Sequence, residues 1–385
     1  MSGLLREGQR PGPVLVLNAG SSTLKASVLR LPAQRPMAIA SVTWTPTGSG
    51  GEAKAALGRL LAELGIPSAK EDFAAIGHRV VHGGDRFRQP ILIDDAALEA
   101  IGELSEIAPL HNPPAAATIQ AARQRFPNVP HVACFDTAFH ASLPEAAYRY
   151  PVPDRWFSDW GIRRFGFHGL STEWAVARSA ELLGVPARDL QLVVAHLGSG
   201  CSVTAVDGGR SVATSMGFTP LEGVMMATRA GSIDPGVLLW LVSRGLVTVS
   251  DLEGTLNHGS GLVGVAGTGD MQRLLADAPK DPRARLAIDM FVERAAAGIA
   301  AATTHLRHLD ALVFTGGIGE NAAPVRSAIV RRLTAIGVRP VAGRALTRDR
   351  ILSRPGQRPA VIRVQAREDL VIAAAALRLR EPVAR

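Results

Sequence analysis

The sequence predicts an α/β fold built from two similar halves. Short runs rich in β-branched residues alternate with Ala-rich segments of helical pattern, which is typical of strands layered against helices. One strand-like run, together with the small polar turn that follows it, recurs about half a chain later. The chain has 385 residues, 47% of them hydrophobic, enough to fill the cores of two domains of about 150 residues each.

The predicted strands are apolar runs that end in polar turn residues: LVLNAG, VVHGG, VACFDT, LVVAHLG and LVFTGG. The predicted helices are the Ala-rich segments 172–183, 285–306 and 324–335. Pro- and Gly-rich stretches at 32–51 and 144–161 are candidate linkers, and we expect the crossover between the halves in the second.

The two copies of the repeat are LVLNAGSSTLKASVL and VVAHLGSGCSVTAV. At one offset of 178 residues, Asn18 aligns with His196, Gly20 with Gly198, and Ser21 with Ser199. Each copy predicts a strand, a turn and a second strand, with the two turns facing a shared cleft.

Composition excludes several classes of function. The formal charge is +8, but only four of the 42 basic residues are lysines and the arginines are dispersed, so we expect small anionic substrates and no nucleic acid. Cys134 and Cys201 are too few for a disulfide framework, which favours the cytoplasm. The first 13 residues lack an apolar leader, and no stretch approaches the roughly 18 apolar residues of a membrane span. We therefore expect no membrane association.

The turn NAGSST, followed by Lys25, is a candidate phosphate-binding loop. Its hydroxyls, which include Ser21 and Thr23, and its backbone N–H groups exceed what a hairpin turn needs. Successive N–H groups can form an anion cradle, to which Lys25 adds a positive charge. A simple Ser-rich turn is the alternative, and the Walker A pattern is absent.

The segment GHRVVHGGDRF, at 77–87, predicts a strand in which His78 and His82 share one face and Arg79 lies on the other. Arg79 is therefore a candidate anion clamp. The spacing of the two histidines also fits a zinc-binding helix, but Val80 and Val81 between them favour the strand.

Two further residues stand at the ends of predicted elements. In IAPLHNPPAAATI, Asn112 is expected to cap a helix, which places His111 near the positive end of the helix dipole. Asp136 ends the strand VACFDT, where a carboxylate can act as a base or hold magnesium-bound water. A surface histidine beside a cap and a turn-forming aspartate are the structural alternatives.

The later segments add cationic and Gly-rich features. His168 follows Phe167 between two glycines, where a ligand can approach the backbone, and Ser171 is expected to cap the next helix. Arg229 stands in an otherwise apolar region, so it needs an anionic partner, either a structural carboxylate or a phosphate. VFTGGIGENAA predicts a strand, a Gly-rich loop and a helix capped by Asn321, without the G-x-G-x-x-G spacing.

In this order, along residues 14–373, the motifs resemble those of the acetate kinases, the acetokinase family of short-chain carboxylate kinases. The matching segments are VLVLNAGSSTLK, GHRVVHGG, APLHNPP, FDTAFH, GFHG, HLG-x-G, SMGFTPLEG, TRAGSIDP, SGL-x-GVAG, FTGGIGEN and the late Glu-Asp-Leu. The resemblance implies a duplicated actin-like (ribonuclease H-like) fold with two lobes around a central cleft, and a cytoplasmic homodimer. It implies an N-terminal lobe of residues 1–145 and 370–385, with the phosphate loop and the carboxylate clamp, and a C-terminal lobe of residues 146–369, with the nucleotide site and the dimer interface.

The resemblance also implies a reaction: reversible, Mg²⁺-dependent phosphoryl transfer from ATP to acetate, giving acetyl phosphate and ADP, with Mn²⁺ as an alternative metal. Asn18 and Glu368 would hold the metal. The phosphate path would be lined by Ser21, Thr23 and Lys25, and the reaction centre by Arg79, Asp136, His168 and Arg229. The substrate would contact Arg79, Val81, Leu110, His111, Phe167 and Pro220. The nucleotide would contact His196, Leu197, Gly198, Ser199, Gly200, Asp270, Met271, Gln272, Gly317, Ile318, Glu320, Gly319 and Asn321.

Three positions depart from the family pattern. Ser199 stands where the family usually has asparagine, Gln272 where it has arginine, and Ala366-Arg367 where it has Thr-Asn before Glu368. These departures predict weaker or altered nucleotide binding. Gly317 and Ile318 are kept, so we expect an open adenosine pocket and ATP, not pyrophosphate, as the donor.

Two rival functions remain at the level of sequence. A propionate or other short-chain carboxylate kinase is the first, because one methylene in an apolar pocket changes specificity by only about 1 to 3 kcal/mol. A nucleotide-binding regulatory protein that has lost catalysis is the second, motivated by the three departures.

Overall fold

A computed structural model describes residues 12–20, 22–45, 50–66, 72–341 and 348–380. The chain forms two compact units, each an α/β arrangement around its own sheet. The first unit comprises Met1–Ala141 and Arg367–Arg385, and the second comprises Ser142–Ala366. None of the described helices combines the length and the apolar character needed to cross a membrane.

Within the described residues, the sheet of the first unit has six strands: β1 (Val14–Ala19), β2 (Thr23–Leu29), β3 (Ala38–Thr43), β4 (Ala75–Val80), β5 (Ile91–Leu92) and β6 (His131–Phe135). Their order across the sheet is β3-β2-β1-β4-β6-β5. β1, β4 and β6 run parallel, whereas β2, β3 and β5 are antiparallel to their neighbours. The parallel strands therefore end at one edge of the sheet.

The first helices of this unit are α1 (Gly50–Glu63), α2 (Asp95–Glu103) and α3 (Asn112–Arg125). α1 and α3 pack together, and their apolar residues share a core with β1, β2 and β3. α2 packs against α3 over a second cluster that includes Phe135 at the end of β6. Leu104–Glu106 and Ala138–Ser142 are 3₁₀ turns.

Within the described residues, the second unit also has a six-stranded sheet: β7 (Gln191–Leu197), β8 (Cys201–Asp207), β9 (Arg210–Thr214), β10 (Ala311–Thr315), β11 (Arg350–Ile351) and β12 (Ala360–Arg363). The order β9-β8-β7-β10-β12-β11 and the pairing directions repeat those of the first unit. β7 thus corresponds to β1 and β10 to β4. The prediction of a duplicated actin-like α/β fold is confirmed, and the sequence repeat corresponds to the hairpins β1–β2 and β7–β8.

The helices of the second unit are α4 (Glu145–Tyr148), α5 (Arg155–Ser158), α6 (Gly169–Leu183), α7 (Pro235–Ser243), α8 (Val249–His258), α9 (Gly261–Ala266), α10 (Met271–Asp277), α11 (Pro282–Thr303), α12 (Gly316–Asn321) and α13 (Ala323–Arg332). α11 packs against β7 and β8, and α6 packs against β7 and β10. Ala187–Asp189 and Thr334–Ile336 are 3₁₀ turns. The three predicted helical segments fall on α6, α11 and α13, with ends that differ by a few residues.

The closing helix, α14 (Glu368–Leu379), returns to the first unit and packs against β1, β4 and β6. Gly77 on β4 permits this packing, because a Cβ at that position would lie 2.4 Å from Ile372 Cγ2. Glu368 therefore begins a helix that is held directly on the strands that carry Asn18 and Arg79.

The expected roles of four polar residues were wrong. His82 lies beyond the end of β4, so it does not share a strand face with His78. Asn112 is the first residue of α3 and not its cap: its side-chain amide bonds the backbone N–H and C=O of His82, at 3.1 and 3.0 Å. Ser171 lies within α6, and Asn321 ends α12 instead of capping α13.

Candidate functional site

The first unit gathers four polar side chains at the ends of its parallel strands, which we call the first-unit cluster: Asn18, Arg79, Asp136 and Glu368. Asn18 and Arg79 are paired in register on β1 and β4. Asp136 follows the last residue of β6, and Glu368 begins α14. Strand ends are where open α/β sheets bind ligands, because side chains from adjacent strands converge there.

Arg79 is the centre of this cluster. Its guanidinium makes two hydrogen bonds to the Asp136 carboxylate, one of them from Nε to Oδ1 at 3.2 Å and the other from Nη2 to Oδ2. Nη1 donates to Asn18 Oδ1 at 3.1 Å, and Nε lies 3.6 Å from Glu368 Oε2. The guanidinium thus contacts β1, the residue after β6 and the first residue of α14.

Charge and burial oppose each other at Arg79. Burial disfavours its cation, but the attraction of Asp136 and Glu368 outweighs burial and raises the pKa of Arg79. The Asp136 side chain is 1% exposed, whereas those of Arg79 and Glu368 are 16% and 19% exposed. The partly exposed groups of the cluster are therefore the Arg79 cation and the Glu368 carboxylate, whereas the Asp136 carboxylate is buried behind Arg79.

The predicted phosphate loop joins β1 to β2. Lys25 pairs with Asn18 across the hairpin and is exposed, and Thr23 is half-buried. Gly20 is held at both ends: its N–H donates to Thr23 O at 2.8 Å, and its carbonyl accepts from Trp44 Nε1 at 3.1 Å. Ser21 lies outside the described residues.

The predicted substrate residues of the first unit follow β4 and precede α3. Val81 is buried directly after β4, Leu110 is exposed, and His111 occupies the N-cap position of α3 without a side-chain cap bond. The reciprocal bonds between Asn112 and His82 fix the segment after β4 against the start of α3. This places Val81 and His111 on two segments that are joined by hydrogen bonds.

The second unit gathers two imidazoles and a guanidinium around the β7–β8 turn, which we call the second-unit cluster: His168, His196, Gly200 and Arg229. The His168 and His196 rings are stacked, with centroids 4.2 Å apart and an angle of 17° between the planes. A Cβ on Gly200 would lie 3.0 Å from His168 Nε2 and 3.5 Å from Arg229 Nη2. The imidazole and the guanidinium therefore face the same point above a glycine.

Arg229 has no carboxylate partner among the described residues; its Nη1 donates to Pro220 O at 2.8 Å. Burial lowers the pKa of Arg229, and the nearby Cys201 only partly opposes this effect. A guanidinium removed from water needs an anion. Of the two partners that the sequence left open, the structural carboxylate is absent from the described residues, which favours phosphate. Phe167, predicted to contact substrate, is buried beside His168.

The turn after β7 packs against the start of α12, the helix that directly follows β10 where the sequence predicted a Gly-rich loop. A Cβ on Gly198 would lie 3.7 Å from Gly317 N, and Gly316, with φ of +78°, packs on the backbone of Leu197. A glycine-rich turn and a glycine-rich helix start thus bring backbone N–H groups together at adjacent parallel strand ends, an arrangement suited to phosphate. Ser199 is exposed in the first turn, and Leu197 is buried.

Several predicted nucleotide residues have structural contacts. Glu320 is buried, accepts from Ala366 N at 2.9 Å and lies 3.5 Å from Arg363 Nη2. Burial raises the pKa of Glu320. Asn321 Nδ2 donates to Gly317 O at 3.0 Å.

The segment 270–272 forms the start of α10. Asp270 is the N-cap residue, and its Oδ1 accepts from Gln272 N at 2.9 Å. Met271 is buried, whereas the Gln272 side chain is exposed. The side chains of Asp270 and Gln272 are thus exposed, and that of Met271 is buried.

Comparison with known proteins identifies the family. The family model described as the Acetokinase family matches residues 13–374. The chain belongs to the Acetokinase family. An acetate kinase of Deinococcus radiodurans is 44% identical over 383 residues, covering 93% of this chain and 96% of that protein. A propionate kinase of Citrobacter rodentium is also 44% identical, over 347 residues that cover 84% of this chain and 86% of that protein. The crystal structure of Porphyromonas gingivalis acetate kinase matches with a TM-score of 0.87 and 29% identity, covering 96% of this chain and 100% of that chain.

Sequence reasoning missed several contacts in this Acetokinase chain. Ser202 Oγ lies 3.1 Å from His168 Nδ1, and Ser171 Oγ lies 2.8 Å from His196 Nδ1. Arg164 and Tyr150 hydrogen-bond Glu222, which holds the segment that leads to Arg229. β8 is buried at its first six positions, so the polar positions of its sequence pattern gave no signal that Ser202 faces a ring.

Proposed function

We propose that the protein is an acetate kinase, which transfers a phosphoryl group reversibly from ATP to acetate and gives acetyl phosphate and ADP. The observation that carries the proposal is the convergence of Arg229 and His168 above Gly200, with no carboxylate near Arg229 among the described residues. Negative charge on the transferring phosphoryl group is stabilised by a cation such as Arg229 and by a hydrogen-bond donor such as His168, and a transition-state arginine is worth roughly 10³ to 10⁵ in rate. Membership of the Acetokinase family supports the same reaction.

In the first unit, Arg79 binds the carboxylate of acetate or the oxygens of acetyl phosphate. Its planar guanidinium can form paired hydrogen bonds with either group. Asp136 holds this guanidinium in orientation and acts at the reaction centre. Val81, Leu110 and His111 lie on the adjacent segments and contribute to the substrate site.

The first-unit cluster fits a magnesium ion. Asn18 and Glu368 offer an amide and a carboxylate oxygen, which are hard donors of the kind Mg²⁺ takes. No group of three or more His, Cys, Asp or Glu side chains suited to a metal occurs among the described residues, and Mg²⁺ in phosphoryl-transfer sites is held by one or two carboxylates together with phosphates. When bound, Mg²⁺ or Mn²⁺ would neutralise charge on the phosphates. Lys25 and Thr23, with Ser21, would contact those phosphates.

In the second unit, ATP binds at the β7–β8 turn, at the start of α12 and at the start of α10. Backbone N–H groups around Gly198 and Gly317 bind phosphate oxygens, and Ile318 lines the adenosine pocket. His168 and Arg229 donate hydrogen bonds to the phosphoryl group while it is transferred. Phe167 and Pro220 contact the methyl group of acetate.

Acetate is the proposed acceptor, with propionate as the alternative. The named relatives include both an acetate kinase and a propionate kinase at 44% identity, so similarity does not separate the two substrates. The difference between them is one methylene, which an apolar pocket distinguishes only weakly.

A homodimer is proposed from the surface of α7. This helix has no buried residue in the described chain, although it contains Val237, Leu239 and Trp240, which are 49%, 72% and 54% exposed. An apolar helix with its large side chains this exposed is typical of an interface, and a second copy of the chain would cover it. Cys134 and Cys201 are buried and are not joined in a disulfide, which agrees with a cytoplasmic location.

Hydroxylamine trapping of acyl phosphate tests the proposed function. The protein would be incubated with ATP, Mg²⁺ and equal concentrations of acetate, propionate or butyrate, and with His168→Ala and Arg229→Ala as controls. We expect product with acetate that is lost in both variants, and the yields rank the acceptors. ATP binding without product from any carboxylate would contradict the proposal and support a regulatory nucleotide-binding protein.

A further inference from the structure

Two buried serines contact the two stacked imidazoles of the second-unit cluster. Ser202 on β8 bonds His168 Nδ1, and Ser171 on α6 bonds His196 Nδ1. Both serines are essentially inaccessible, at 1% and 0% exposure. The pattern is the same at both rings: the Nδ1 side is bonded to a serine hydroxyl.

The Nε2 side of each ring faces the β7–β8 turn. A Cβ on Gly200 would lie 3.0 Å from His168 Nε2, and a Cβ on Gly198 would lie 3.6 Å from His196 Nε2. The two rings therefore direct the same nitrogen toward the turn whose backbone is suited to phosphate. Which nitrogen carries the proton decides whether each ring can donate there.

We propose that Ser202 and Ser171 are positioning residues that set the tautomers of His168 and His196, so that each Nε2 carries a proton and donates to phosphate oxygens. This inference rests on the proposed function. A phosphoryl oxygen only accepts hydrogen bonds, so Nε2 must donate. In a neutral ring Nδ1 then has no proton and accepts from the serine hydroxyl.

The stacking favours this neutral arrangement. Two protonated imidazoles with centroids 4.2 Å apart would repel each other, and Arg229 adds a third positive charge above Gly200. A serine hydroxyl can donate or accept, but these two hydroxyls are buried, and the imidazole Nδ1 is the partner that each has among the described residues. If Nδ1 carried the proton of a neutral ring, the hydroxyl would have to accept, and its own proton would be buried without an acceptor. Each serine therefore favours the tautomer with the proton on Nε2.

The backbone at His168 supports the same geometry. His168 has φ of +56°, an uncommon left-handed conformation for a residue with a side chain. Its carbonyl accepts from both the N–H and the hydroxyl of Thr172, at 2.9 and 3.0 Å. The bond to Ser202 then fixes the ring of a residue whose backbone is already held.

Nitrogen-15 NMR of histidine-labelled, full-length protein without substrate tests the proposal. In the wild type we expect both rings in the tautomer with the proton on Nε2. Ser202→Ala should convert His168 to a mixture of tautomers, Ser171→Ala should do so for His196, and Ser202→Thr should restore the wild-type signal. Ser179→Ala is the matched control, because Ser179 is a buried serine on α6 whose hydroxyl has no partner among the described residues.

Kinetics provide the second readout. Loss of an outer partner of a functional histidine typically reduces activity by roughly 10- to 100-fold. We expect kcat to fall by that factor in Ser202→Ala with little change in either KM, recovery in Ser202→Thr, and a shifted pH profile of kcat. A merely structural serine would leave the pH profile unchanged.

The outcomes separate the two proposals. Histidine signals that are unchanged in both alanine variants would overturn the positioning role, whatever the activity. Signals that follow the serines in a wild-type protein that makes no acyl phosphate would support the positioning role and overturn the proposed function. If Ser202→Ala does not fold, Ser171→Ala and Ser202→Thr test the same relationship.

Discussion

Arg79 and Asp136 are joined by two hydrogen bonds between the plane of a guanidinium and the two oxygens of a buried carboxylate. The pair connects β4 to the residue after β6, and the third nitrogen of the guanidinium, Nη1, donates a hydrogen bond to Asn18 Oδ1 on β1. Arg79 is therefore oriented before any substrate binds. Side chains fixed in this way lose less entropy when they bind an anion, which favours a clamp over a flexible cation.

Replacing Arg79 with lysine tests the need for this planar group. Arg79→Lys keeps the charge but loses the paired geometry, so we expect kcat/KM for acetate to fall roughly 100-fold, equal to about 3 kcal/mol. Initial rates at varied acetate and fixed, saturating ATP measure this change. KM for ATP should stay near the wild-type value; an increase confined to KM for ATP would place Arg79 in the nucleotide site instead.

Sequence patterns predicted the strand-end residues because the signals there are local. Asn18, Arg79 and Asp136 each stand in or directly after an apolar run, and the ends of such runs are set by the sequence itself. The internal repeat predicted two equivalent hairpins for the same reason. The positions of these side chains at one sheet edge then follow from the parallel pairing of β1, β4 and β6.

Helix caps were predicted less well because other contacts compete for the same side chains. Asn112 and Ser171 are residue types that cap helices, and a cap is worth about 1 kcal/mol. In the folded protein Asn112 satisfies the buried backbone of His82, and Ser171 bonds the buried ring of His196. Leaving such buried groups unpaired costs about 1 to 3 kcal/mol, so the distant contact prevails.

Arg229 should be important for activity but not for stability. Arg229→Gln removes a transition-state cation, so kcat should fall by roughly 10³ to 10⁵. The free energy of unfolding should stay within about 1 kcal/mol of the wild type or rise, because the buried guanidinium has no carboxylate partner among the described residues. Urea unfolding and steady-state rates measure the two quantities. A large loss of stability would indicate that Arg229 is a structural residue.

Gly200 should tolerate no side chain. In Gly200→Ala the new Cβ would lie 3.0 Å from His168 Nε2 and occupy the point that Arg229 also faces. Displacement of reacting groups by about 1 Å can cost roughly 100-fold, so we expect at least this loss in kcat. Gly58→Ala is the matched control, since its Cβ would meet nothing within 4 Å and it lies inside α1. Equal activity of both variants would contradict a phosphoryl position above Gly200.

The buried pair His78 and His131 should make the protein less stable in mild acid. His78 Nε2 and His131 Nδ1 are 2.9 Å apart, so one of these two nitrogens must be unprotonated, and His131 Nε2 lies 3.1 Å from Phe126 O. Burial lowers the pKa of His131 to about 4, and burial together with His131 lowers the pKa of His78. Because the unfolded rings titrate near 6.5, stability is complete above that pH and is lost as the pH falls toward 4.

The expected loss from His131 is on the order of 3 kcal/mol between pH 6.5 and 4. Urea unfolding at several pH values, in the wild type and in the double variant His78→Leu/His131→Leu, separates this effect from that of the carboxylates. The pH dependence should be smaller in the variant. Parallel curves for the two proteins would show that this histidine pair does not titrate on unfolding.

Gln272 and Ser199 should limit nucleotide affinity. Both side chains are exposed, next to turns whose backbones are fixed by Asp270 and by the bond from Ala227 N to Ser199 O. Gln272→Arg can therefore add a cation without disturbing α10, and Ser199→Asn can extend an amide from the β7–β8 turn. We expect each change to lower KM for ATP several-fold, because additional donors near phosphates strengthen binding. The two effects should be additive, and KM for acetate should not change, because the carboxylate clamp is not altered.

Arg273→Gln, an exposed neighbour of Gln272 on α10, is the control and should leave KM for ATP as it is. Normal ATP affinity in the wild type that neither substitution improves would show that these positions do not contact the nucleotide.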